Sequence, residues 1–258
     1  PRLLIHRKQI EFAVRCADLI TTDADILTRT LLSMGTAPEK ILKVYHGIDE
    51  TVFHPASGAA PDRNSGRRKM IISTRNLYEV YNLDLLIDAV PAVLEQVPAD
   101  FVICGDGPLR GRLERKAAAL GLDRDVVFRG RLEPEEVAEA LRTADVYVST
   151  SRSDSTSVSL LEAMACGVPP VATDIEANRE WIKDGENGIL VPIEDPASLA
   201  GAIVRVLTDS SFSSRVRERN LGLIEERGRW NLNMEIAERA FRDLVAGGES
   251  ASGGSARV

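Results

Sequence analysis

The amino-acid sequence predicts an α/β protein built on a doubly wound parallel sheet, and three observations carry that expectation. Short β-branched or apolar runs alternate with stretches of helical period from one end to the other, the pattern of parallel βαβ units. With 258 residues, 44% of them hydrophobic, the chain is long enough to bury a sizeable core. Its charged residues, 28% of the total, are of both signs and interspersed, which excludes wholesale disorder.

The elements follow in order. Ile10, Ala13, Val14 and Ala17 recur at helical intervals within 8–18; 19–22 then reads as a strand, 24–34 as a helix and 41–45 as a strand. Residues 51–68 carry Pro, Gly, Ser and Asn in place of a periodic apolar pattern and are expected to form a linker. Beyond it, strands are predicted over 70–74, 101–104, 126–128, 146–149, 168–172 and 188–191. Helices over 83–96, 109–120, 135–142 and 158–166, and a short one over 178–182, separate them. Six strands with intervening helices make the doubly wound sheet. From Pro196 three helical stretches follow without a strand, and the Gly/Ser-rich 247–258 is expected to be a disordered tail.

Composition also bounds function. A net charge of −7 argues against binding nucleic acid through its phosphates, which needs a clustered excess of Lys and Arg. Cys16, Cys104 and Cys166 lie far apart, and His6, His46 and His54 are as scattered, so no disulfide framework and no metal site is expected. A reducing cytosol fits that usage. No apolar run approaches the roughly 20 residues that cross a bilayer, and the amino terminus does not read as a signal peptide. Because the chain starts with Pro1, it is expected to be the trailing part of a longer protein.

In an open α/β sheet, ligands collect at the carboxyl ends of strands, so residues just after each strand are informative. Four places stand out. Arg75 emerges from an Ile-rich strand, where it would pair with a phosphate or form a surface salt bridge. Gly105-Asp106-Gly107-Pro108 either lets backbone approach a ligand or makes a tight turn capped by Asp106. Phe128-Arg129-Gly130-Arg131 is a third strand end. The fourth, TSRSDSTSVSLLEAMACGVPPVAT over 150–173, sends small hydroxyl residues into a helix that Gly167 ends. Backbone N–H groups at that start lack intrahelical partners and carry partial positive charge, so a diphosphate would be stabilised there; ordinary capping by Ser155 or Ser157 is compatible with the same residues. Glu162 is the only charged residue between Leu160 and Ala172. Burying it needs donors, either ligand hydroxyls or a backbone or Arg partner. Asp154 stands eight positions earlier, in the loop.

Arg75, the GDGP turn, Phe128-Arg129-Gly130, the segment from Asp154 to Glu162, EAMACGVPPVAT and DGENGILVP together resemble the C-terminal half of a family four retaining glycosyltransferase, from about Ala17 to Phe241. The resemblance implies the GT-B fold of two facing Rossmann-like domains. It implies metal-independent transfer of a sugar from a UDP-, GDP- or ADP-linked donor, as substrate rather than cofactor, to a glycan, lipid or small-molecule acceptor. On this resemblance Arg75, Asp154 and Glu162 are the expected catalytic residues. Glu162 would hold ribose hydroxyls, Asp154 the donor sugar, and the amides of Ser157, Val158, Ser159 and Leu160 the diphosphate. Gly130 and Arg131 would lie along the base, and Gly105 with Asp106 would line the cleft floor.

The resemblance divides the chain into a remnant of the N-terminal, acceptor-side domain (1–50), the linker (51–68), the donor-binding domain (69–228), a crossover helix (229–246) and the tail (247–258). Most of the acceptor domain, with any peripheral contact to the cytosolic face of a membrane, is expected outside this chain, which alone should not turn over. Both 1–50 and the crossover helix should then expose apolar surface. Two substitutions depart from the family: Asp154 replaces a Glu, and Val80 and Tyr81 stand where a second phosphate-binding cation, a Lys, is usual. Arg152 is a candidate replacement for that cation. Competing readings are a nucleotide-sugar binding module without turnover and a GT-B sugar-nucleotide epimerase.

Overall fold

The computed structural model describes the backbone of residues 2–56 and 66–252 and the side chains of 8–56 and 66–246. The first unit comprises α1 (Arg2–Cys16), β1 (Ile20–Thr22), α2 (Asp25–Ser33) and β2 (Ile41–Lys43), with β1 and β2 paired in parallel. The second begins with β3 (Lys69–Ser73), α3 (Leu83–Leu94), β4 (Ala99–Cys104), α4 (Arg110–Ala119) and β5 (Val126–Gly130). It continues through α5 (Pro134–Thr143), β6 (Val146–Ser149), α6 (Val158–Ala165), β7 (Pro170–Thr173), α7 (Glu176–Arg179) and β8 (Ile189–Val191). Three helices close the chain: α8 (Pro196–Thr208), α9 (Ser210–Leu223) and, after a π-turn over Ile224–Gly228, α10 (Trp230–Ser252).

All six strands of the large sheet run parallel in the order β5-β4-β3-β6-β7-β8. Strand side chains alternate between two apolar layers, as the period of two demands. Ile71, Phe101, Ile103, Val146 and Val148 pack beneath α3, α4, α8 and α9. Ile72, Val102, Tyr147 and Ala172 pack on the other face beneath α5 and α6. Both faces are therefore covered, which is why the strands read as continuous apolar runs.

The differences from expectation have local causes. β7 starts at Pro170 rather than 168, because Gly167 (φ +72°) closes α6 in a Schellman turn whose 2.9 Å bond from Val168 N to Ala163 O uses the amide a strand would need. The short helix forms at Glu176–Arg179, not 178–182, since Trp181 and Ile182 turn into the core. The predicted tail begins as helix, α10 running on to Ser252, while 253–258 lie outside the described residues. The centre of the predicted linker, 57–65, also lies outside them. Its ends are anchored: Phe53 is buried against the core beneath α5 and α6, and Arg67 bonds Asp145 at 2.9 Å.

Residues 45–50 dock onto the π-turn. Ile48 N donates to Gly228 O (2.8 Å), Trp230 N donates to Ile48 O (2.9 Å), and Glu50 pairs with Arg229. Apolar side chains remain exposed on α1 and α10, among them Phe12 (70%) and Val245 (63%), as both segments were expected to show.

Candidate functional site

β3 and β6 are neighbours in the sheet, but the chain leaves β3 toward β4 and leaves β6 toward β7 on the opposite side. Loops that part in this way open a crevice at the strands' carboxyl ends, the switch point of a doubly wound sheet. A cavity of about 320 Å³ occupies it. Arg75, Asn76 and Tyr81 line it from the β3 side; Asp154, Val158, Ser159 and Glu162 line it from the β6 side.

Glu162 lies on the first turns of α6, whose other residues are almost all buried. Its carboxylate makes no hydrogen bond or ion pair with any described residue. Burial pushes its pKa up from 4.5 to about 7, with the positive charge of Arg75 opposing the shift. A carboxylate without a protein donor beside a cavity is the arrangement expected of a group that accepts from a ligand.

Arg75 is buried at 7% exposure and held on several sides. Nη1 donates to Ser157 Oγ (2.7 Å) and Ser159 Oγ (2.9 Å), and Nη2 donates to Asp154 Oδ2. The Tyr81 ring lies 4.1 Å from the guanidinium carbon, a cation–π contact. Ser159 Oγ is in turn 2.9 Å from the Tyr147 hydroxyl, whose pKa full burial raises. The surface salt bridge foreseen as an alternative for Arg75 is thus a salt bridge to another candidate site residue, inside the crevice.

Ser157 is the N-cap of α6, but its side chain does not cap the helix; it accepts from Arg75 instead. The Leu160 amide donates to Ser157 O at 3.0 Å, so that amide, expected to join a diphosphate cradle, is already used. The amides of Ser157, Val158 and Ser159 have no acceptor among the described residues, leaving three donors at the positive end of the helix.

The remaining candidates stand behind or beside the cavity rather than in its described walls. Gly105 (φ +133°) abuts Arg75: an added Cβ would lie 2.6 Å from the Arg75 carbonyl oxygen. At Gly107 an added Cβ would lie 2.5 Å from the Leu77 carbonyl oxygen. Asp106 Oδ1 accepts from Gly107 N (2.8 Å), and Asp106 O accepts from Leu77 N (3.0 Å). The GDGP turn therefore buttresses the loop that presents Arg75. Gly130 O accepts from Gly105 N at 2.7 Å, extending the support to β5, and Arg131 is exposed next to it. Arg152 reaches Glu79 O (3.2 Å) and Glu194 (3.7 Å) and lies outside the cavity wall, so it does not replace the absent cation there.

Sequence reasoning missed three participants. Tyr81 was noted only as the residue in the place of the family's Lys; its stacking on Arg75 depends on the turn before α3, where Asn82 adopts φ +47°. Tyr147 was hidden in an apolar strand. Asp23 accepts from Ser155 Oγ (3.2 Å) and, through its carbonyl, from Thr156 Oγ1 (2.7 Å), tying the first unit to the site loop. No local signal marks a contact across 132 positions.

Known proteins share this arrangement of elements. The chain is 30% identical over 250 residues to a D-inositol 3-phosphate glycosyltransferase of Acidothermus cellulolyticus, covering 90% of this chain and 55% of that protein. It is 26% identical over 239 residues to an N-acetyl-alpha-D-glucosaminyl L-malate synthase of Bacillus anthracis, covering 92% and 62%. The chain thus spans little more than half the length of these relatives. Among solved structures, Anabaena Alr3699/HepE in complex with UDP and glucose superposes with a TM-score of 0.79 at 20% identity, over 92% of this chain and 66% of that one. Such a likeness shows the fold, the GT-B type that the resemblance implied. The family model for glycosyl transferases group 1 matches residues 60–221, the stretch that contains the crevice, its free carboxylate and the helix with three open amides, and the chain belongs to that family.

Proposed function

We propose that this chain forms the donor side of a retaining glycosyltransferase that moves a sugar from a nucleoside-diphosphate sugar to an acceptor hydroxyl without a metal. The observation that carries the reading is the pairing, along one helix, of an unpartnered carboxylate at Glu162 with three unpartnered amides at Ser157, Val158 and Ser159. Vicinal ribose hydroxyls supply the donors that the carboxylate lacks, and a diphosphate supplies the acceptors that the amides lack. Arg75 adds a buried positive charge beside them. Gly130 and Arg131 lie toward the base, with Gly105 and Asp106 supporting the floor. The superposed structure with UDP and glucose is consistent with such a ligand.

As the bond between the sugar's anomeric carbon and the diphosphate oxygen breaks, negative charge grows on that oxygen. Donors already in place stabilise it without reorganising, the role that Arg75 and the α6 amides are positioned to play. The acceptor oxygen bonds the anomeric carbon on the same face, and its proton passes to the departing phosphate. The acceptor, a glycan, lipid or small molecule, meets the donor from the other side of the crevice. Free cysteines at positions 16, 104 and 166 suit the cytosol, where we place the reaction.

Calorimetry with UDP, GDP and ADP and their sugars tests the reading. Binding in the micromolar to millimolar range, unaffected by chelator, is expected for at least one of them. Glu162→Ala and Arg75→Ala should each weaken it by about 1–3 kcal/mol. A strict need for Mg²⁺, or indifference to both substitutions, would count against the assignment.

A further inference from the structure

The pairing of Arg75 with Asp154 is incomplete. A guanidinium presents its Nε and one Nη2 proton side by side, the edge that receives two oxygens of a carboxylate or phosphate. Asp154 sets a single oxygen, Oδ2, on the Nη2 half. Its other oxygen accepts from Ser155 N at 3.1 Å. Arg75 Nε is buried and has no acceptor. An unpaired N–H of a buried cation is costly, and it sits at the edge where an anion with two oxygens would bind. Tyr81 fixes the plane of the guanidinium by stacking on it and takes none of its protons.

We propose that Asp154 is an exchangeable counter-ion, which a phosphate displaces from the Nε–Nη2 edge of Arg75. The proposal rests on the donor-site reading above and deepens it. Two phosphate oxygens satisfy both protons of the edge, where the carboxylate satisfies one. The same diphosphate reaches the open amides of α6, which Asp154 does not contact. Exchange returns a carboxylate to the crevice with Oδ2 free to accept from a sugar hydroxyl. Engagement of the diphosphate thus precedes the sugar contact that the family resemblance assigns to Asp154. Asp23, which holds Ser155 and Thr156, keeps the loop close enough for the carboxylate to remain at the site after it leaves Arg75.

The test is Asp154→Asn, with inorganic pyrophosphate, UDP, GDP and ADP as probes in calorimetry. Removing the competing charge while keeping the shape should tighten pyrophosphate, and whichever nucleotide binds the wild type, by about tenfold or more. The wild-type chain gives a second readout that does not depend on how the variant folds: the ¹⁵Nε–H resonance of Arg75 should shift on adding pyrophosphate. Equal or weaker binding by the variant, or an unmoved Nε–H resonance while a nucleotide binds the wild type, would overturn the exchange and leave the donor site standing. If neither protein binds any of the four probes, both fail.

Discussion

Glu162 is the residue whose chemistry is most exposed to measurement. Its pKa is raised from 4.5 to about 7, so in rising pH the unfolded chain ionises first and the folded chain resists. Stability is unaffected by this group below about pH 4.5, falls as pH climbs toward 7, and carries the full penalty above that. Glu162→Gln removes the titration, so the variant should gain on the wild type across this window and be more stable by roughly 2–3 kcal/mol at pH 8. Denaturant unfolding at a series of pH values reads that difference; a constant offset would mean that Glu162 is solvated. Ligand binding has the opposite slope. Hydroxyl donors favour the ionised carboxylate, so nucleotide affinity in the wild type should rise up to about pH 7 and then level off. In Glu162→Gln that rise should vanish.

At the scale of the element, α6 is a helix whose leading end is kept open. Most N-cap serines turn back onto their own helix, but Ser157 is drawn away by Arg75, and no other side chain among the described residues caps it. Val158 occupies the first helical position, where proline is tolerated because its missing N–H has no intrahelical partner. Ser157, at φ −77° and ψ 94°, is extended and already outside the α region that a following proline disfavours. Val158→Pro should therefore leave the melting temperature nearly unchanged while removing one of the three open amides. Loss of a charge-assisted hydrogen bond predicts about tenfold weaker nucleotide binding, or more, by calorimetry. Unchanged affinity would show that this amide does not touch the ligand. The GDGP turn is the contrasting case: its glycines are required by backbone packed against Arg75 and Leu77, a structural need that serves the site at one remove.

For the whole molecule, the decisive joint is where 45–50 meets the π-turn and the start of α10. Gly47 has φ +74°, and an added Cβ would lie 2.7 Å from Trp230 N and 2.9 Å from the Arg229 carbonyl carbon. Neither neighbour is a flexible side-chain end, so Gly47→Ala must strain its own backbone and push the joint apart. A loss of about 2–4 kcal/mol in denaturant unfolding is expected. A neutral result would mean that the first unit is not seated on the second as described. The joint matters to the site because Asp23, in the first unit, holds the loop that carries Asp154.

Fold class was readable from one dimension because apolar periodicity is local: a strand shows its burial within a few residues, and a helix within two turns. The solitary acid at 162 and the hydroxyl-rich entry to its helix were legible for the same reason, since both are anomalies against immediate neighbours. Convergence was not legible. Arg75 and Asp154 are separated by 79 positions and meet because β6 inserts beside β3 rather than beyond β5. That order is set by how helices pack on both faces of the sheet, a balance no single segment contains. The same order brings Gly105 and Gly130, on the β4 and β5 side, against the loop that presents Arg75. Residue chemistry was thus written along the chain, whereas the choice of which strand ends share a crevice came from packing in three dimensions.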